Sequence, residues 1–135
     1  MNTGRFVGAA LVVWLVRVAL NYTFYGVLMT DQYQAMGAAY PGLFREVIPA
    51  YIAADLLFAV VFVILFAKCG SALGGGVKAG LSLGILVAIL SPLLANIYMF
   101  YSFTIFTPGY MTTDSLFQLV SHLVSGGLAG VLYKS

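Results

Sequence analysis

Four long apolar runs divide the chain, and most of its polar residues collect between them. The runs extend from about Phe6 to Leu28, Ile48 to Ala67, Val77 to Tyr101 and Ser115 to Tyr133. A helix rising ~1.5 Å per residue needs about 20 residues to cross a hydrocarbon core roughly 30 Å thick, and each run comes close to or exceeds that length. Lipid offers no partner to an unpaired backbone N–H or C=O, so each run is expected to be a helix. None has the period-two alternation of a lipid-facing barrel strand. The expected fold is therefore all-α, a transmembrane four-helix bundle forming one membrane domain over residues 1–135.

Composition removes the alternatives. The chain is 62% hydrophobic and 7% charged, against roughly 25% charged in an ordinary soluble domain. A small globule exposes much of its surface and could not cover it with so few charges. The net charge of +2 comes from too few groups to point to a nucleic-acid partner. Cys69, the single cysteine, allows no internal disulfide and no multi-cysteine metal site.

Basic residues orient the spans. Arg5, Lys68, Lys78 and Lys134 fall at one end of a four-span chain, and Arg45 falls at the other with Asp31, Glu46 and Asp114. The positive-inside rule then puts both termini in the cytoplasm. Tyr22, Tyr25, Tyr33, Tyr40, Tyr51, Tyr98, Tyr101 and Tyr110 lie at or near the opposite, outer ends, as expected of rings that prefer the headgroup boundary. Arg17 interrupts the first run and no clear small-x-small site comes after it before Asn21, so this run reads as a retained helix rather than a cleaved signal peptide. In the outer loop, residues 29–47, the segment Asp31–Met36 predicts a short interfacial helix capped by Thr30 or Asp31 and ended by Gly37. Pro41-Gly42 then predicts a turn. The loop reads as a connector resting on headgroups in preference to a lid.

Small residues mark where helices approach closely in lipid. Gly76, Gly80, Gly84 and Ala88 form a stripe at four-residue spacing, and Gly126 and Gly130 repeat that spacing in the fourth run. The third and fourth spans are expected to pack together along these stripes, joined by the first through Gly4 and Gly8. The alternative is that one stripe meets a second copy of the chain.

Arg17, Asn21, Asp55, Asn96, Gln118 and His122 interrupt the apolar runs. Counting inward from the span ends puts them in one polar layer of the outer half, with Arg17 deepest and Gln118 shallowest. Arg17 and Asn21 share a helix face. Pro92 is expected to kink the third span just below Asn96. An unpaired charge in hydrocarbon costs roughly 2.5–3.5 kcal/mol even on a lenient scale, so Arg17 and Asp55 are expected to pair. Two roles stay open for the pair: docking spans one and two, or forming a charge site for a substrate or proton. His122, the only histidine, reads first as a helix-to-helix hydrogen bond, with a charged form favoured if Asp55 is near. A bis-His haem within one chain is impossible, and no ligand cluster accompanies His122, so no metal and no cofactor is expected. Ser121 is adjacent to His122 on one helix and points elsewhere, which argues against a hydrolytic triad with Asp55.

The stretch Ala19-Leu20-Asn21-Tyr22-Thr23-Phe24-Tyr25-Gly26-Val27-Leu28-Met29, then Tyr33, resembles a recurrent group of small bacterial inner-membrane proteins with no assigned activity. The likeness extends to a small-residue third span and a glycine-bearing fourth, while Tyr25 stands where that pattern often has a histidine. The resemblance implies four spans and a bacterial inner membrane, and it implies no activity. The expected function is that of a non-catalytic helical bundle, or a subunit of a larger membrane complex, whose partner is the lipid bilayer. The alternative is a small homo-oligomer that transports or binds a ligand through Arg17, Asp55, Asn96 and His122. An enzyme ranks last, for want of a nucleophile–base pair or nucleotide motif.

Overall fold

The computed structural model describes residues 2–45 and 47–133, and these form helices and connecting turns without a strand. Glu46 and Lys134, both used in the charge asymmetry, lie outside the described residues. The first span is α1 (Thr3–Asn21), continued without a break by a π-helical stretch, Tyr22–Leu28. A short helix, α2 (Thr30–Ala39), comes next and leads to α3 (Ile48–Cys69). The third span has three parts: α4 (Gly76–Ala88), a π-helical turn (Ile89–Leu93) and α5 (Leu94–Ser102). The last span is α6 (Pro108–Leu132). Four helical spans are thus long and apolar enough to cross a membrane.

Local chemistry explains most of these limits. Asn2 caps α1 by accepting from the Arg5 amide at 3.1 Å, and Thr107 caps α6 by accepting from the Tyr110 amide at 3.2 Å. Pro108 then occupies the first turn, where its missing N–H costs nothing. The α3–α4 connection runs through Gly74, Gly75 and Gly76 with φ of 92°, 72° and 60°, a left-handed path that side chains with a Cβ rarely take. Pro92 lies inside the π-helical turn, which widens where the proline ring cannot take a normal place in the ladder.

Two expectations about the loop change. α2 begins after Met29 without a side-chain cap and runs through Gly37 to Ala39, because Tyr40 still donates its amide to Met36. It is also fastened to the bundle: the Tyr33 and Tyr110 hydroxyls share a 2.8 Å hydrogen bond and their rings pack edge to face.

α4 and α6 make the closest contact in the molecule. They run antiparallel with Gly80 against Gly126, Gly84 against the His122 carbonyl, and Gly130 against Gly76 and Val77. A Cβ on Gly80 would run into the Gly126 carbonyl, and one on Gly126 into that of Gly80. The glycine stripes therefore face each other within one chain. The first span joins differently from expectation. Gly4 and Gly8 are exposed and touch no other helix; Ala9, Ala10 and Val13 make the approach instead. Those three join Ala59, Phe62, Val63 and Phe66 of α3, Ala79 and Leu83 of α4, and Ala129 of α6 in one apolar core. This core fills the half of the bundle nearer the chain termini, and the polar groups occupy the other half.

Candidate functional site

The polar groups are arranged in tiers along the seam between the first span and α6. The deeper tier is built on Asp55 of α3. Arg17 Nε donates to Asp55 Oδ1 at 3.1 Å, and Asn21, one turn later on the same face, donates its amide to both carboxylate oxygens at 2.9 and 2.7 Å. Arg17 Nη1 donates to Ser121 Oγ at 3.3 Å, tying α6 to the pair. The guanidinium carbon lies 3.7 Å from the centroid of the Phe58 ring, a cation–π contact. Arg17 and Asp55 are each only 7% exposed. The Asn21 side-chain oxygen, an acceptor, is buried without a donor, while its amide nitrogen is held by Asp55.

His122 belongs beside this tier but does not bond to Asp55. Its Nδ1 lies 2.7 Å from the Gln118 carbonyl, an acceptor only, so Nδ1 carries the proton. Its ring meets the edge of Phe58 at 5.0 Å and 84°. The expected helix-to-helix hydrogen bond is thus replaced by one to a backbone carbonyl of its own helix, with an aromatic ring beside it. Ser121 is turned to Arg17 and not to His122.

Asn96 and Gln118 do not join Arg17 and Asp55. They gather one tier nearer the loop end, around Asp114, which the apolar pattern had assigned to the loop. α6 begins at Pro108, well before the apolar run, so Asp114 is a helical residue and is only 6% exposed. Tyr25 donates its hydroxyl to Asp114 Oδ1 at 2.5 Å, and Asn96 donates to Oδ2 at 2.7 Å. Gln118 donates to the Tyr25 oxygen at 2.7 Å, while the second Asn96 hydrogen goes to Ser115 at 3.0 Å. The step of seven positions from Asp114 to Ser121 covers about 10 Å of helix, so the expected single layer is split into two tiers. The signal that locates Asp114 was present in the sequence: Thr107-Pro108 is an N-cap with an N1 proline after it, and it places Asp114 inside the helix.

The third tier is the Tyr33–Tyr110 pair. Tyr25, Tyr33 and Tyr110 face inward, in contrast to Tyr22, Tyr51, Tyr98 and Tyr101, which stay exposed as headgroup-preferring rings should. Burial, and then its bond to Tyr110, hold the Tyr33 hydroxyl above the ordinary tyrosine range. Aromatic contacts fix the tiers laterally: Phe24 stacks on Phe117 at 3.9 Å, and Tyr25 packs edge-on to both.

On the far side of Asn96 and Ser115, an open groove of about 450 Å³ runs between α5 and α6, walled mainly by Leu93, Phe100, Met111 and Leu116. Among the described residues no three His, Cys, Asp or Glu side chains come together as metal ligands. No protein-family model matches this chain, and neither the curated proteins nor the solved structures contain a match to it.

Proposed function

We propose that the chain is a non-catalytic, multi-pass protein of a bacterial inner membrane, with both termini in the cytoplasm, that serves as a self-contained bundle or as a subunit of a membrane assembly. The bacterial setting rests on the resemblance carried by Ala19 to Met29 and Tyr33. The orientation rests on Arg5, Lys68, Lys78 and Lys134 against Arg45.

One observation carries the structural role of the deeper tier. The Arg17 guanidinium is engaged through Nε with Asp55, through Nη1 with Ser121 and across its face with the Phe58 ring, and Asn21 donates to both oxygens of the same carboxylate. A charge pair enclosed in this way serves as a clamp holding α1, α3 and α6 in register. The glycine stripes are occupied by the α4–α6 contact, so association with a second copy or another subunit uses a different surface.

The test is a double-mutant cycle read as unfolding stability in bicelles. Arg17→Met or Asp55→Leu alone strands the partner and is expected to cost about 3–5 kcal/mol, while the double variant regains most of that loss. If the double variant is as unstable as the sum of the singles, the two side chains do not act as a clamp.

A further inference from the structure

Among the described residues the bundle buries two carboxylates, Asp55 and Asp114, and one guanidinium, Arg17. Arg17 is engaged with Asp55 in a buried ion pair. Both oxygens of Asp114 are met by neutral donors, the Tyr25 hydroxyl at 2.5 Å and the Asn96 amide at 2.7 Å. Neutral donors spread a negative charge without cancelling it. In the interior of a membrane protein an uncompensated carboxylate is costly, and such residues characteristically mark ion or proton sites.

Two backbone irregularities converge on this carboxylate. Tyr25 lies inside the π-helical stretch Tyr22–Leu28, and Asn96 lies just beyond the π-helical turn Ile89–Leu93. A π turn adds a residue to the helical circuit and rotates the side chains beyond it, at the expense of hydrogen-bond geometry, and such turns are frequent at functional sites. Pro92 accounts for the second irregularity. No proline stands in Tyr22–Leu28; the Thr23 and Thr30 hydroxyls bond back to the Ala19 and Gly26 carbonyls, and the stretch carries a tyrosine aimed at Asp114.

We propose that Asp114 is a monovalent-cation site, whose carboxylate takes up one positive charge, a proton or an alkali ion, from the loop end of the bundle. One added charge balances the two carboxylates against Arg17. A divalent ion would overshoot that balance, and among the described residues no three His, Cys, Asp or Glu side chains gather to hold one. The titratable groups around it are Tyr25 from the first span, Tyr33 from α2 and Tyr110 from its own helix, and all three interact with Asp114 electrostatically. α5 contributes the non-titrating Asn96. His122 lies two turns deeper on α6, with its proton on the Gln118 carbonyl. The tyrosine hydroxyls line the approach from the loop end, and the Asn96 side chain forms the wall between Asp114 and the α5–α6 groove.

This site shares no hydrogen bond with the Arg17–Asp55 clamp, so it can fail while the clamp stands, and the reverse. The test uses the full chain in lipid nanodiscs, in choline, sodium and potassium buffers. Infrared spectra report a protonated carboxyl group, and equilibrium binding of radiolabelled sodium reports an alkali ion. A proton site gives a carboxylic-acid carbonyl band at neutral pH that is absent from Asp114→Asn and retained in Asp31→Asn, a change at an exposed carboxylate on α2. An alkali site gives saturable sodium binding that falls at least tenfold in Asp114→Asn and is unchanged in Asp31→Asn. Tyr25→Phe keeps the carboxylate and removes one donor, so it shifts the carbonyl band or lowers sodium affinity several-fold. An Asp114 that is ionised at neutral pH without saturable alkali binding overturns the proposal, as does a band or affinity indifferent to Tyr25→Phe.

Discussion

Adding a single methyl group to Gly126 should separate α4 from α6, whereas the same change at Gly8 should do no harm. A Cβ on Gly126 would lie 2.7 Å from the Gly80 carbonyl carbon and closer still to its oxygen, where ordinary contact begins at 3.4 Å. The obstacle is backbone on a rigid helix and cannot swing aside, so the axes must part by roughly 0.7 Å or more. A gap of that order forfeits about a quarter to a half of the dispersion energy of each pair along the seam. Overpacking of this kind costs about 1–3 kcal/mol. Gly8 has no neighbour within 4 Å, so alanine there gains helix propensity of up to about 1 kcal/mol without a clash. Gly127 is an internal control on α6 itself, because its added methyl would meet only the tip of Leu81 at 3.7 Å. Unfolding in bicelles, measured by steric trapping or by denaturant, should therefore place Gly126→Ala below Gly127→Ala and Gly8→Ala by about 2 kcal/mol or more. Equal stability of Gly126→Ala and Gly8→Ala would refute the α4–α6 seam.

Two further outcomes are open to direct measurement. The Tyr33 hydroxyl, raised above its ordinary value by burial, favours the neutral form in the folded protein. Its contribution to the docking of α2 is therefore complete below the ordinary tyrosine pKa of about 10 and is lost as pH rises through the higher folded-state value. Ultraviolet titration of the wild type against Tyr33→Phe should show one tyrosinate fewer at the most alkaline end in the variant; a difference that appears near the ordinary pKa would contradict the buried Tyr33–Tyr110 contact. Cys69 is exposed at the end of α3, on the same end of the bundle as the termini. With cytoplasmic termini, a membrane-impermeant maleimide should label it only after cells are opened, and labelling of intact cells would reverse the orientation.

The legible part of the candidate site was its charge pair. Arg17 and Asp55 stand alone as opposite charges within apolar runs, and hydrocarbon leaves such charges no cheaper option than each other. Asp114 escaped the same logic because its surroundings, Met111-Thr112-Thr113, are only weakly apolar, so hydropathy started the fourth run too late. The N-cap and proline at Thr107-Pro108 carry the true boundary. Tyr25, and the pairing of Asn96 with Asp114, escaped for another reason. A π turn rotates every later side chain, so faces counted at ordinary helical spacing no longer hold beyond Tyr22 or Ile89.

By itself the sequence determined four helices long and apolar enough to span a membrane, and it marked the glycine stripes that form the α4–α6 seam. Each comes from rules local to a segment: a backbone in lipid must bond to itself, and small residues let two helices touch. The tertiary structure alone decided which polar groups share a tier, that Ala9, Ala10 and Val13 rather than Gly4 and Gly8 bring in the first span, and that Asp114 is met by neutral donors alone. Those outcomes depend on distances between helices far apart in the chain. A rotation of one helix by a single residue, about 100°, is enough to exchange one partner for another.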